Sequence, residues 1–290
     1  MNVHTTAGRR RKVKVVQFPA PARRLLVPRE HGSWGLWLLP FITGAVVGAA
    51  QIHHDFVWAI FWLFLATSSA FLAYQPLEAL LGLSPYRVRS APEKHIATVW
   101  VLLNFALAGL AAFALVRLDR GRILWFAALG IACFTIRLLL GQARHFRVAR
   151  QILGALSLSS TAAAAYYVTT GTLDRTALLL WAANWLFATG QIEYVQLRVR
   201  TAAAQSRAEK ISAGLGISLY HLVLLYFATI AATARMVHPL FALAFLPALL
   251  RILVWGARKP AKINFHVLGF SELFQGVLFS SLLLVSFLRY

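Results

Sequence analysis

The chain has 290 residues, 59% of them apolar and 13% charged, and its mean hydropathy is +0.67. Soluble domains sit near roughly 45–50% apolar and about 25% charged, which excludes a soluble enzyme, a disordered chain and a nucleic-acid-binding chain. The net charge of +20 must therefore be explained by membrane topology first, and the single cysteine, Cys133, excludes an internal disulfide and a cysteine-built zinc site.

Residues 1–28 read as a basic cytoplasmic tail, with Arg9, Arg10, Arg11, Lys12 and Lys14 followed by Pro19 and Pro21. No apolar run follows closely enough for a cleavable signal peptide. The rest, 29–290, reads as a single all-α transmembrane domain. Apolar runs predict nine spans, near 34–52, 56–74, 96–116, 123–141, 151–170, 176–195, 211–234, 238–255 and 267–288. A bilayer core of ~30 Å takes about 20 helical residues to cross. The runs are helical because hydrocarbon offers no partner to a backbone N–H or C=O.

Charge sorts by loop. Arg87, Arg89 and Lys94 follow the second run, Arg144, Arg147 and Arg150 the fourth, Arg198, Arg200, Arg207 and Lys210 the sixth, and Arg258, Lys259 and Lys262 the eighth. The intervening loops hold few basic residues: Arg117, Arg120, Arg122, Arg175 and Arg235. Positive loops stay cytoplasmic, which predicts the N-terminus inside and the C-terminus outside. Every Glu lies on or near that basic side, and Asp55, Asp119 and Asp174 lie on the other. No internal repeat is evident along the chain, although the loops after the second and sixth runs are alike in length and charge.

Three segments on the basic side could carry chemistry. Pro28-Arg29-Glu30-His31-Gly32-Ser33-Trp34 brings a cation, an acid and an imidazole to the start of the first span. Tyr74-Gln75-Pro76-Leu77-Glu78 leads to Arg87 and Arg89, whose planar guanidinium groups suit bidentate phosphate binding. Gln191-Ile192-Glu193-Tyr194 leads to Arg198, Arg200 and Lys210. The candidate acid–base residues are Glu78, Glu193 and His31, and the candidate head-group residues are Arg29, Arg87, Arg89, Arg198, Arg200 and Lys210. Each segment has a plainer reading as a helix start or a solvated ion pair. Asn104, Asn184 and His221 read as interhelical hydrogen bonds, Glu272 as a partner for Arg251 or Lys262, and Gly44 with Gly48 as a close-packing GxxxG.

The Pro28–Trp34 motif, followed by a span containing Pro40 and Gly44, resembles the YwiC-like family of bacterial membrane proteins. That resemblance implies a multi-pass protein of the bacterial cytoplasmic membrane. More broadly, the chain resembles the UbiA prenyltransferase superfamily, which implies a nine-helix bundle with a cytoplasmic active site after spans two and six. The segment Arg207-Ala208-Glu209-Lys210-Ile211 is similar to that superfamily's basic stretch. Its aspartate motifs hold Mg²⁺, whereas here the comparable stretches carry one Glu each, Glu78 and Glu193, among arginines. The expectation is a metal-free and cofactor-free cytoplasm-facing pocket for an anionic or isoprenoid lipid, in a degenerate or metal-independent transferase or a lipid-binding relic. The alternatives are a non-catalytic subunit docked to a protein partner, as beside a respiratory complex, and a small-anion transporter.

Overall fold

The computed structural model describes residues 26, 31–52, 56–83, 88, 90–141, 143–202, 206–258 and 264–290, with backbone alone for His31 and Arg144. Those residues form α1 (His31–Ala49), α2 (Val57–Leu80), α3 (Ala91–Arg117), α4 (Ile123–Leu139), α5 (Arg147–Ser159), α6 (Thr161–Thr170), α7 (Arg175–Arg200), α8 (Arg207–Thr233), α9 (Leu240–Ala257) and α10 (Phe265–Leu288). A single 3₁₀ turn, Arg144–Phe146, precedes α5. Each of the nine predicted runs coincides with one rod, because α5 and α6 continue each other.

The break between α5 and α6 has a local cause. The hydroxyls of Ser159, Ser160 and Thr161 donate to the carbonyls of Leu156, Ser157 and Leu158 at 3.2, 2.7 and 2.7 Å. Three successive hydroxyls competing for helix carbonyls loosen the ladder.

Seven candidate spans among the described residues are long and apolar enough to cross a membrane, with α5 and α6 together forming one. At 17 residues α4 is shorter than the rest, and α7 falls outside the set although it is 26 residues long. Its sequence explains why: Asn184, Gln191, Glu193 and Gln196 interrupt the apolar run. Outward faces of α3, α8 and α10 show Leu102, Phe113, Leu219, Phe227 and Phe274 more than half exposed. Apolar surface on that scale suits lipid rather than water. The chain is thus a multi-pass integral membrane protein.

The core runs along α6, whose residues Thr161 to Thr169 are all buried. Helix α1 lies directly on it. A Cβ at Gly44 would collide with the carbonyl of Ala162, and one at Gly48 would fall 2.9 Å from Thr169 Cβ. The GxxxG therefore acts as expected, by letting two backbones touch. An aromatic seam, with Trp37 stacked on Phe71 at 5.4 Å, joins α1 to α2. On the other side Phe187 stacks on Phe279 at 4.0 Å between α7 and α10.

Two parts of the chain share a local pattern of caps and arginine–tyrosine contacts. Ser90 caps α3 by accepting from Glu93 N–H, and Ser206 caps α8 by accepting from Glu209 N–H. The two caps open the matching stretches Ser90-Ala91-Pro92-Glu93-Lys94 and Ser206-Arg207-Ala208-Glu209-Lys210. Upstream lie Arg87-Val88-Arg89 and Arg198-Val199-Arg200, and a five-residue insert before Ser206 masks the register. In each half an arginine of the third rod then covers a tyrosine of the first. Arg137 of α4 lies 4.9 Å from the Tyr74 ring of α2, and Arg251 of α9 lies 3.9 Å from the Tyr194 ring of α7.

Candidate functional site

The polar residues gather at one end of the bundle, where α2, α4, α7 and α9 finish and α1, α5, α8 and α10 begin. Several predicted site residues are held there by protein partners. Glu78 Oε1 accepts from Tyr74 OH at 2.6 Å and pairs with Arg137 Nη2 at 2.8 Å. Glu193 lies 3.6 Å from Arg200 in an exposed pair, a geometry that contributes little. Lys210 is buried, and its Nζ donates to the carbonyls of Trp255 at 2.9 Å and Arg258 at 2.8 Å. Arg207 donates to Ala257 O. These two cations thus cap the carbonyl end of α9, where the helix dipole favours positive charge. His31 heads α1 with its side chain outside the described residues, and Arg29, Arg87 and Arg89 lie outside them altogether.

The most deeply buried charge pair is elsewhere. Arg251 Nη1 contacts Glu272 Oε1 at 2.6 Å, and both side chains are 12% exposed. The Arg251 guanidinium sits flat on Tyr194, whose hydroxyl accepts from Arg198 Nη1 at 3.1 Å. Gln191 Nε2 donates to the backbone carbonyl of Glu272 at 2.9 Å, tying α7 to α10. The remaining atoms are unmatched: Arg251 Nε and Nη2, Glu272 Oε2 and Gln275 Oε1 are buried without a hydrogen-bond partner. Buried polar atoms are paired as a rule, and a charge in this state is costly. Of the residues that form this pair and its supports, Gln191 and Tyr194 fell inside a predicted segment, and Glu272 was expected to neutralise Arg251 or Lys262. The structure selects Arg251.

Glu272 opens onto a slot. A cavity of about 40 Å³ lies between α1, α7 and α10, lined among others by Gly35, Leu39, Gln191, Glu272, Gly276 and Phe279. Its lining on α1 runs from Gly32 to Pro40, a depth of about 12 Å at 1.5 Å per residue. Glycine on two of the three walls creates the space: a Cβ at Gly276 would press to 3.0 Å on Leu39 Cδ1. Pro40 has no N–H to give the Leu36 carbonyl, which adds an acceptor to the wall. The volume accommodates a few waters or the polar end of one ligand. Below the slot Asn184 Nδ2 donates to Leu180 O at 2.8 Å and reaches Thr43 Oγ1 at 3.4 Å. Beyond that level the axis is closed by Val47, Ala162, Leu180 and Leu283.

Among the described residues no three His, Cys, Asp or Glu side chains come together. The slot presents the Glu272 carboxylate with Gln191 and Asn184 among apolar and glycine residues, and Arg251 pairs with Glu272 from outside the slot lining.

Two comparisons with known proteins agree with each other. The chain is 24% identical over 178 residues to the Uncharacterized protein YwiC of Bacillus subtilis (strain 168), a match covering 61% of this chain and 68% of that protein. Residues 27–170, which hold α1 to α6 and the Glu78–Arg137 pair, match the model of the family described as YwiC-like protein.

Proposed function

We propose that this chain is a YwiC-like protein of the bacterial cytoplasmic membrane with nine spans, N-terminus inside and C-terminus outside, in a UbiA-like arrangement. Its working site is the slot between α1, α7 and α10, open to the basic, cytoplasmic end. The ligand is an anionic or isoprenoid lipid whose polar head enters the slot. Gln191 and Glu272 line the slot and would meet the head group, Glu272 as the acid–base group, with Arg251 and Tyr194 behind Glu272 holding it in place. The apolar tail would lie against α10, where Phe274 and Val277 stand exposed. One observation carries this reading: Arg251 keeps two buried, unpartnered donors beside a carboxylate that lines a cavity. An ion pair built only for stability would be fully satisfied. The closed apolar core beneath the slot favours a binding site over a conduit.

The test is native mass spectrometry of the full chain in mild detergent, with lipid extraction in parallel. The expected result is a retained polar lipid that Arg251→Gln releases and Arg200→Gln does not. A bare wild-type chain, the same set of lipids retained by wild type and by Arg251→Gln, or a stoichiometric second protein in place of lipid would overturn the proposal.

A further inference from the structure

A second cleft, separate from the slot, opens between α8 and α9. It encloses about 440 Å³, within the range of about 300–1,000 Å³ that holds drug-sized ligands. Its walls are apolar, from Ile211 and Leu215 on α8 and Ile252, Leu253 and Trp255 on α9. Ile211, Leu215 and Leu253 are 49, 62 and 51% exposed, so the groove faces the lipid. Gly214 and Gly256 also line it and keep it open. Arg207 stands exposed at its mouth with Lys210 buried beside it, the only charged residues among the described ones that line the cleft. Glu209, in the same turn, is not among the lining residues.

Each cation already donates to the end of α9, and that fixes its position. Lys210 uses two of its three N–H groups on Trp255 O and Arg258 O, and Arg207 uses one nitrogen on Ala257 O. Lys210 is buried in the wall and contributes its charge from there, while Arg207 is exposed and keeps its other donors at the mouth. Exposed Arg258 adds a third positive charge at the end of α9. An apolar groove between helices, capped by fixed cations at the basic end, is complementary to one kind of molecule: a membrane phospholipid with an anionic head group.

We infer that the α8–α9 cleft is a binding site for one anionic glycerophospholipid, with its acyl chain along Leu215 and Leu253 and its phosphate at Arg207, beside the buried charge of Lys210. This site is independent of the slot ligand.

The full-length chain, reconstituted in nanodiscs of phosphatidylglycerol or of phosphatidylcholine, would be released for native mass spectrometry. One phosphatidylglycerol should remain bound in preference to phosphatidylcholine. Arg207→Gln should weaken its retention about fivefold, the worth of one basic residue at an anionic head group. Leu215→Trp, at a lipid-exposed position that a larger ring fills without entering the core, should abolish it. Arg251→Gln should leave it unchanged, which separates this site from the slot. Equal retention of the two lipids, or retention indifferent to both Arg207→Gln and Leu215→Trp, would overturn the inference.

Discussion

Arg251 and Glu272 form the contact in which a single atom decides most. Removing one partner of a buried pair leaves a charge in a medium that cannot solvate it. Arg251→Ala should therefore cost about 3–5 kcal/mol, and Glu272→Ala a similar amount. The double variant Arg251→Ala/Glu272→Ala removes both charges and should lose less than the sum of the two singles. An equilibrium SDS titration of the four proteins reads the cycle directly. If the double variant were as unstable as the sum of the singles, the pair would not be coupled. The double variant should also fold without retaining the slot lipid, which would separate the stability role from the binding role. At the other polar cluster Glu78 has two partners, Tyr74 and Arg137. Glu78→Gln keeps a hydrogen-bonding group there and should cost less than Glu272→Ala in the same titration.

Helix packing is where a missing side chain matters most. Gly44 lies so close to Ala162 that any Cβ forces α1 away from α6. Gly44→Ala should lower the melting temperature, with a loss of about 2 kcal/mol or more, and Gly44→Leu should prevent folding. Gly109 on α3 meets nothing within 4 Å, so Gly109→Ala should be neutral or stabilising by up to about 1 kcal/mol. The elements themselves were largely legible in the sequence. Apolar runs bounded by charged loops locate every rod, because a membrane helix must satisfy its own backbone. The glycine spacing on α1 was legible for a similar reason, since only one residue type allows such an approach. The Ser160 break was not, because it depends on three hydroxyls choosing carbonyls over their surroundings. The site was legible only in part. Tyr194 and Gln191 stood in a polar segment, but Arg251 and Glu272 lie on different helices and meet only through the packing of α9 on α10. Conversely, Lys210 looked like a free head-group ligand, and nothing in its local sequence announced the carbonyls of Trp255 and Arg258.

Across the whole molecule, one arginine–tyrosine contact recurs in the two halves with one difference. Tyr74 and Tyr194 each lie under an arginine, but the residue four positions on is Glu78 in the first half and Arg198 in the second. The second half therefore draws its acid from another helix, α10, and that displacement puts Glu272 on the slot wall. The proposed nine crossings, α1 and four rods in each half, would put the termini on opposite faces. Cys133 is buried and small, so Cys133→Ala gives a background for single-cysteine labelling. Thr172→Cys lies in the exposed turn between α6 and α7, and Ala202→Cys follows the end of α7. In intact cells a membrane-impermeant maleimide should label Thr172→Cys and a cysteine at Tyr290, and should reach Ala202→Cys only after permeabilisation. Labelling of Ala202→Cys from outside would reverse the orientation. Labelling of Thr172→Cys and Ala202→Cys from the same face would mean that α7, the most polar of the long helices, does not cross, and the slot it lines would then lack its third wall.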